Sequence, residues 1–295
     1  MIWLQVAESD GQPLAARVSV AFGTRVARAD DPPGDYETGA RVVLGAFETL
    51  AADALPLAES CGCVHPWNTV AVVSVRPAVV RELRHARATQ VSGRDREEGR
   101  RLVERAVDAW MQSSPEDAGW RAEGPPEACG FSSEPRPREH TTVNQKTGRR
   151  VGLHLDSWDQ LAPRERWRGS NRICVNLGTA PRALVFVAQS ASGFADDLLG
   201  AGIDIDRDAG ALIDQFGVSN LARRYLEVFP DQTIVRVVVR PGEAYVAPTE
   251  NLIHDGHAPA GSDPDLSLTI RGRFLPVAGA AASVSWLRFG RDEAA

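Results

Sequence analysis

From residue 150 onward the chain alternates apolar and polar positions, or runs in short β-branched stretches bounded by turn residues. That texture predicts strands at 150–158, 171–177, 183–188, 233–240, 243–247 and 266–274. Residues 1–75 predict several short strands around a loop at Asp30-Asp31-Pro32-Pro33-Gly34-Asp35, and Thr69–Val75 reads as a strand that stops at Arg76-Pro77. A helix is expected over about 78–88. A second, starting near Ser92, carries Leu102, Val103, Ala106, Val107 and Trp110 along one face, which should pack on a sheet. Helical spacing returns between Asp208 and Phe229 through Leu212, Ile213, Phe216, Leu221 and Leu226, weakened in the middle by Gly217. Between these regions, 113–147 is rich in Pro, Glu, Gly, Ser and Arg and reads as a long loop, a candidate lid. The expected class is mainly β with flanking helices in a single domain, 1–295. Residues 1–112 buttress a core at 148–275, and 276–295 form a C-terminal extension.

Composition narrows the partners. A hydrophobic fraction of 43% and a charged fraction of 24% are ordinary globular usage. The formal net charge of -6 argues against nucleic acid, whose binding needs a basic face to displace counterions. There is no basic leader and no run of 18 apolar residues, so no membrane partner is expected and the expected location is cytoplasmic. Cys61, Cys63, Cys129 and Cys174 are too few and scattered for a disulfide framework. Cys61-Gly-Cys63-Val-His65 looks like half a zinc site, but no partner cluster accompanies it. The arginines near 94–105, interleaved with Glu97, Glu98 and Glu104, read as a solvated helix face.

Candidate chemistry concentrates in Val151-Gly-Leu-His-Leu-Asp-Ser-Trp158. In a strand, His154, Asp156 and Trp158 share one face while Leu153 and Leu155 take the other. An imidazole and a carboxylate two residues apart on an inward face supply two corners of a facial metal site. The third corner must come from the few remaining histidines. His254 is preferred to His257, because it ends an extended apolar stretch just before Asp255-Gly256. Leu266–Phe274 alternates and sets Ser267, Thr269, Arg271 and Arg273 on one face, where an inward arginine calls for an anion.

His154-x-Asp156, the distal His254 and an arginine 17 residues later resemble the double-stranded β-helix Fe(II)/2-oxoglutarate oxygenases over about residues 140–275. The resemblance implies a jelly-roll, cupin-like core in which His154, Asp156 and His254 ligate Fe(II) and Arg271 anchors 2-oxoglutarate. Because Arg273 stands where members often carry serine, either arginine is a candidate anchor. It further implies that dioxygen converts the cosubstrate to succinate and CO2 while a C–H of a small molecule is oxidised. Hydroxylation of an amino acid or natural-product intermediate is the default, and Asp156 disfavours halogenation, since related halogenases lack a carboxylate there. Asn171 and Asn176, on the next strand, are open to two roles: bonding the cosubstrate or satisfying backbone groups. Trp158 and Trp167 either line a substrate pocket or pack in the core, and His140 is a candidate substrate contact. A cupin-type dioxygenase without 2-oxoglutarate and a non-catalytic barrel that binds a ligand are the rival readings.

Overall fold

The computed structural model describes residues 2–7, 14–31, 34–51, 65–91, 96–113, 120–134, 141–205, 218–258, 265–276 and 284–289. In chain order its first strands are β1 (Ile2–Ala7), β2 (Val18–Phe22), β3 (Thr24–Val26), β4 (Tyr36–Val43), β5 (Glu48–Thr49) and β6 (Thr69–Ser74). Helices α1 (Pro77–Val91) and α2 (Arg96–Ser113) follow, then β7 (Trp120–Ala122), β8 (Ala128–Glu134), β9 (Arg150–Gly152) and β10 (Leu155–Asp156). After a 3-10 turn at Pro163–Arg168 come β11 (Asn171–Asn176), β12 (Arg182–Ser190), α3 (Ala191–Gly200), β13 (Val218–Ser219) and α4 (Asn220–Val228). The chain closes with β14 (Thr233–Val239), β15 (Glu243–Ala247), β16 (Leu252–His257), β17 (Asp265–Gly272), β18 (Phe274–Pro276) and β19 (Val284–Phe289).

Two sheets dominate. One has seven strands in the order β19-β1-β6-β15-β11-β17-β8, the other five in the order β16-β12-β14-β2-β5. From β8 onward the chain winds between them. β8, β17, β11 and β15 are neighbours in the first sheet, and β16, β12 and β14 in the second, where His154 bridges to His254 and so brings the β9–β10 segment alongside β16. That strand order is a double-stranded β-helix, or jelly roll.

Alternation explains how both faces are filled. On β11, Ile173 and Val175 face outward onto Val79, Leu83, Val107 and Trp110 of α1 and α2, while Cys174 faces the space between the sheets. On β12, Leu184 and Phe186 point inward, and Val185 and Val187 meet Phe194 and Leu198 of α3 and Tyr225 of α4 on the outer side. Strands covered on both faces read as continuous apolar runs, as Ala183-Leu-Val-Phe-Val-Ala188 does. The outer face of α2 is laced by Arg100 with Glu97 and Glu104, each at 2.7 Å.

Several expectations change. The 113–147 region is not one loop: it contains β7 and β8, and β8 forms the edge of the large sheet by pairing along β17. An edge strand has one neighbour and can be polar, so composition hides it. The C-terminal extension contributes β19, antiparallel to β1. Residues 150–158 form two short strands rather than one, broken after Gly152. There φ is +71°, and a Cβ would stand 2.4 Å from the Arg41 carbonyl oxygen. Of the 208–229 helical pattern, 220–228 is helix α4, while residues 206–217 lie outside the described residues. Helix α3 was not expected, because Gly193 and its mostly apolar surface mask helical spacing.

Candidate metal centre

The centre starts from a backbone pairing. His154 N–H donates to the His254 carbonyl at 3.0 Å, and His254 N–H donates back to His154 at 2.8 Å, so the two residues stand directly opposite in an antiparallel pair. Side chains so paired share one face, and the imidazole centroids are 4.5 Å apart. Each ring is fixed by its Nδ1, which bonds the carbonyl two residues back: Gly152 at 2.7 Å for His154, Leu252 at 2.9 Å for His254. Those bonds leave both Nε2 atoms as buried acceptors with no hydrogen-bond partner among the described residues. Asp156 Oδ1 lies 3.8 Å from His154 Nε2, and one ligand atom from each of His154, Asp156 and His254 falls within 4.8 Å of the others. Three convergent donors, two of them orphaned nitrogens in a buried site, fit a divalent transition metal.

The local field keeps His254 neutral and Asp156 ionised, the forms that bind a metal. Burial, reinforced by the neighbouring His154 ring, pushes His254 down to about 3. Burial also pushes the Asp156 carboxyl up, but the Arg172 guanidinium, with Nη2 2.5 Å from Oδ2, and the two histidines outweigh it and hold Asp156 at about 2. His257, three residues beyond His254, faces the other side of β16, its ring centroid 6.3 Å from that of Phe47. His254 itself sits inside β16 rather than at a strand end.

Beside the centre, a polar cavity of about 390 Å³ opens within the barrel. It reaches His254 and is lined by Arg172, Arg182, Tyr245, Ser267 and Thr269. Arg182, at the head of β12, is 5% exposed, and its Nε and Nη1 have no hydrogen-bond partner among the described residues. The carboxylate it faces, Asp265, is 3.6 Å away.

The other candidates lie elsewhere. Arg271 shares the inward row of β17 with Ser267 and Thr269 but stands at the rim. Its Nε is 3.2 Å from Glu127 Oε2, Nη1 is 3.9 Å from Asp159 Oδ1, and Cζ is 5.8 Å from the Trp158 ring centroid. Arg273 is exposed, and neither arginine lines the cavity. Asn171 donates to the Pro66 carbonyl and accepts from Phe274 N–H; Asn176 donates to the Ala180 and Val239 carbonyls and accepts from Gly178 N–H. Both therefore take the backbone role. Trp158 and Trp167 are 54% and 50% exposed and do not pack in the core. His140 lies outside the described residues.

Sequence reasoning missed Arg172 and Arg182. Each carried a signal: Arg172 precedes Cys174 and Asn176 on the inward row of β11, and Arg182 heads an apolar strand that offers it no solvated face.

No protein-family model matches the chain, and no curated protein matches it. Among solved structures, the chain is similar to an apo structure of the Kdo hydroxylase KdoO, a non-haem Fe(II) α-ketoglutarate-dependent dioxygenase. Identity is 16% and the TM-score 0.37, covering 70% of this chain and 80% of that one. The cobalt(II) complex of that hydroxylase is similar at 15% identity and TM-score 0.36, and its complex with α-ketoglutarate and Fe(III) at 13% and 0.33, with the same coverage. These are likenesses in outline, and the jelly roll described above rests on this chain's own strand order.

Proposed function

We propose that this chain is an Fe(II)- and 2-oxoglutarate-dependent oxygenase that hydroxylates a C–H of a small polar molecule, such as an amino acid or natural-product intermediate, releasing succinate and CO2. The observation that carries this reading is a trio of convergent ligand atoms whose His254 also lines a barrel cavity shared with Arg182, a buried arginine whose Nε and Nη1 have no hydrogen-bond partner among the described residues. Leaving a buried guanidinium short of partners is costly, and a dicarboxylate supplies what it lacks.

His154, Asp156 and His254 would hold the iron, which supplies dioxygen activation when bound. Arg182 takes the distal carboxylate of 2-oxoglutarate, in place of the expected Arg271 or Arg273, because it lines the cavity and they do not. Arg172, already against Asp156, stands where the proximal carboxylate would approach, and the Ser267, Thr269 and Tyr245 hydroxyls add donors along the cavity wall. The substrate enters at the rim, where exposed Trp158 and half-buried Arg271 offer an aromatic face and a cation.

Anaerobic addition of Fe(II) and 2-oxoglutarate should produce the weak visible charge-transfer band of the chelate. Arg182→Met should weaken 2-oxoglutarate binding by roughly 30-fold or more, the loss of a charge-assisted bond of about 2 kcal/mol. Arg271→Ala should change it less than about threefold, as befits a screened rim position. No band from folded, metal-loaded protein would overturn the reading, and a band lost in Arg271→Ala but kept in Arg182→Met would return the anchor to β17.

A further inference from the structure

Strand β10 is two residues long and, among the described residues, its strand partner is the equally short β13, so sheet hydrogen bonds do little to hold Asp156. What surrounds it is a buried ion pair. Arg166, 1% exposed, sends Nη1 to the Asp156 carbonyl at 2.7 Å and to the Glu250 carbonyl at 2.8 Å, and Nη2 to Ser157 Oγ at 3.0 Å. Glu250, also 1% exposed, accepts the Trp158 N–H on Oε1 at 2.7 Å. Asp156 N–H donates to the Thr249 carbonyl at 3.0 Å. Gly169 closes over this cluster so tightly that a Cβ there would lie 2.7 Å from Glu250 Cβ.

The arrangement joins both ligand-bearing segments. One guanidinium nitrogen bonds the carbonyl of a ligand, Asp156, and that of Glu250, four residues before the ligand His254. As a device for stability the pair is poor. Glu250 Oε2 accepts no hydrogen bond among the described residues and is 3.8 Å from Arg166 Nη1, and Arg166 Nε is likewise unsatisfied. Two buried charges so imperfectly matched repay little of their desolvation, and apolar residues would serve the fold as well.

We infer that Arg166 and Glu250 are positioning residues: a clamp behind the centre that fixes the Asp156 carboxylate relative to His154 and His254 and thereby sets metal affinity. The inference rests on the reading of those three residues as metal ligands. Groups behind a ligand that orient it govern affinity by about 10–100-fold.

The test is titration of the metal-free chain with Co(II), followed by its visible spectrum, alongside thermal melting, for the parent, Arg166→Met, Glu250→Gln and the double variant. Arg166→Met should lower both melting temperature and Co(II) affinity, the latter by about 10–100-fold. The double variant, with neither charge left, should regain melting temperature while its Co(II) affinity stays weak, because the bond to the Asp156 carbonyl is still missing. If affinity returns together with melting temperature, or if every folded variant binds Co(II) like the parent, the clamp is wrong and the metal centre stands. If the parent itself takes up no Co(II), the metal centre and the clamp fall together.

Discussion

The space between the two sheets has two halves that differ in what the strands turn inward. Where β1, β2, β6, β12 and β14 face one another, the filling is Ile2, Leu4, Val20, Val72, Leu184, Val235 and Val237, all buried. Where β11, β16 and β17 meet the β9–β10 segment, Arg172, His254, Ser267 and Thr269 line a cavity, and His154 and Asp156 converge with His254 beside it. Their buried arginines differ in how closely a carboxylate meets them: Glu243 lies 2.6 Å from Arg17, near the apolar half, whereas Asp265 lies 3.6 Å from Arg182. One half stabilises the barrel by close packing. The other keeps a cavity lined by polar groups.

That contrast can be broken most sharply at a ligand. His154→Ala should weaken divalent-metal binding by more than about 100-fold, beyond what loss of an orienting group alone costs. It should leave the melting temperature of the metal-free chain unchanged or higher, since it removes a buried, unsatisfied nitrogen. A large drop in melting temperature would mean that the polar half also supports the fold. The converse change is Leu184→Ala. It should cost about 2–5 kcal/mol in denaturant unfolding, from lost transfer energy and a cavity, while the metal affinity of the folded protein stays within about twofold. Equal losses of stability and affinity would merge the two halves.

A smaller effect concerns acid. In the metal-free chain His254 is depressed to about 3 from 6.5, so the unfolded state binds the extra proton between those values and stability falls as pH drops through that window. Glu250, raised to about 7 from 4.5 chiefly by burial, acts in the opposite sense: its contribution is complete below 4.5 and is lost as pH rises toward 7. The comparison that isolates His254 is therefore parent against His254→Asn, unfolded in urea from pH 7 to pH 4. The parent should carry an additional loss on acidification of up to about 1.4 kcal/mol per pH unit. Identical slopes would show that His254 is not neutral and buried in the metal-free fold.

Much of the site was legible because strand periodicity is a local property. His-x-Asp puts His154 and Asp156 on one face wherever that segment is extended, and Leu153 and Leu155 do pack on the outer layer against α3 and α4. Alternation puts Ser267, Thr269, Arg271 and Arg273 on one face, yet only Ser267 and Thr269 reach the cavity and Arg273 is exposed, because depth is something periodicity cannot express. Arg271 lies at the rim beside Glu127, and Arg182, from a different strand and the opposite sheet, reaches the cavity. Edge strands β8 and β19 were hidden for a related reason: their hydrogen bonds come from partners more than a hundred residues away in the chain.

By itself, then, the sequence determined the class of fold, which face each core strand buries, and a candidate metal-binding pair in one short segment. Those follow from alternation and residue chemistry over a few neighbouring positions. Only the tertiary structure decided that His154 and His254 exchange backbone hydrogen bonds, that Arg182 rather than Arg271 lines the cavity, and that Arg166 and Glu250 lie behind Asp156. These are relations between distant segments, set by sheet register and packing, and a residue's spacing along the chain carries no record of them.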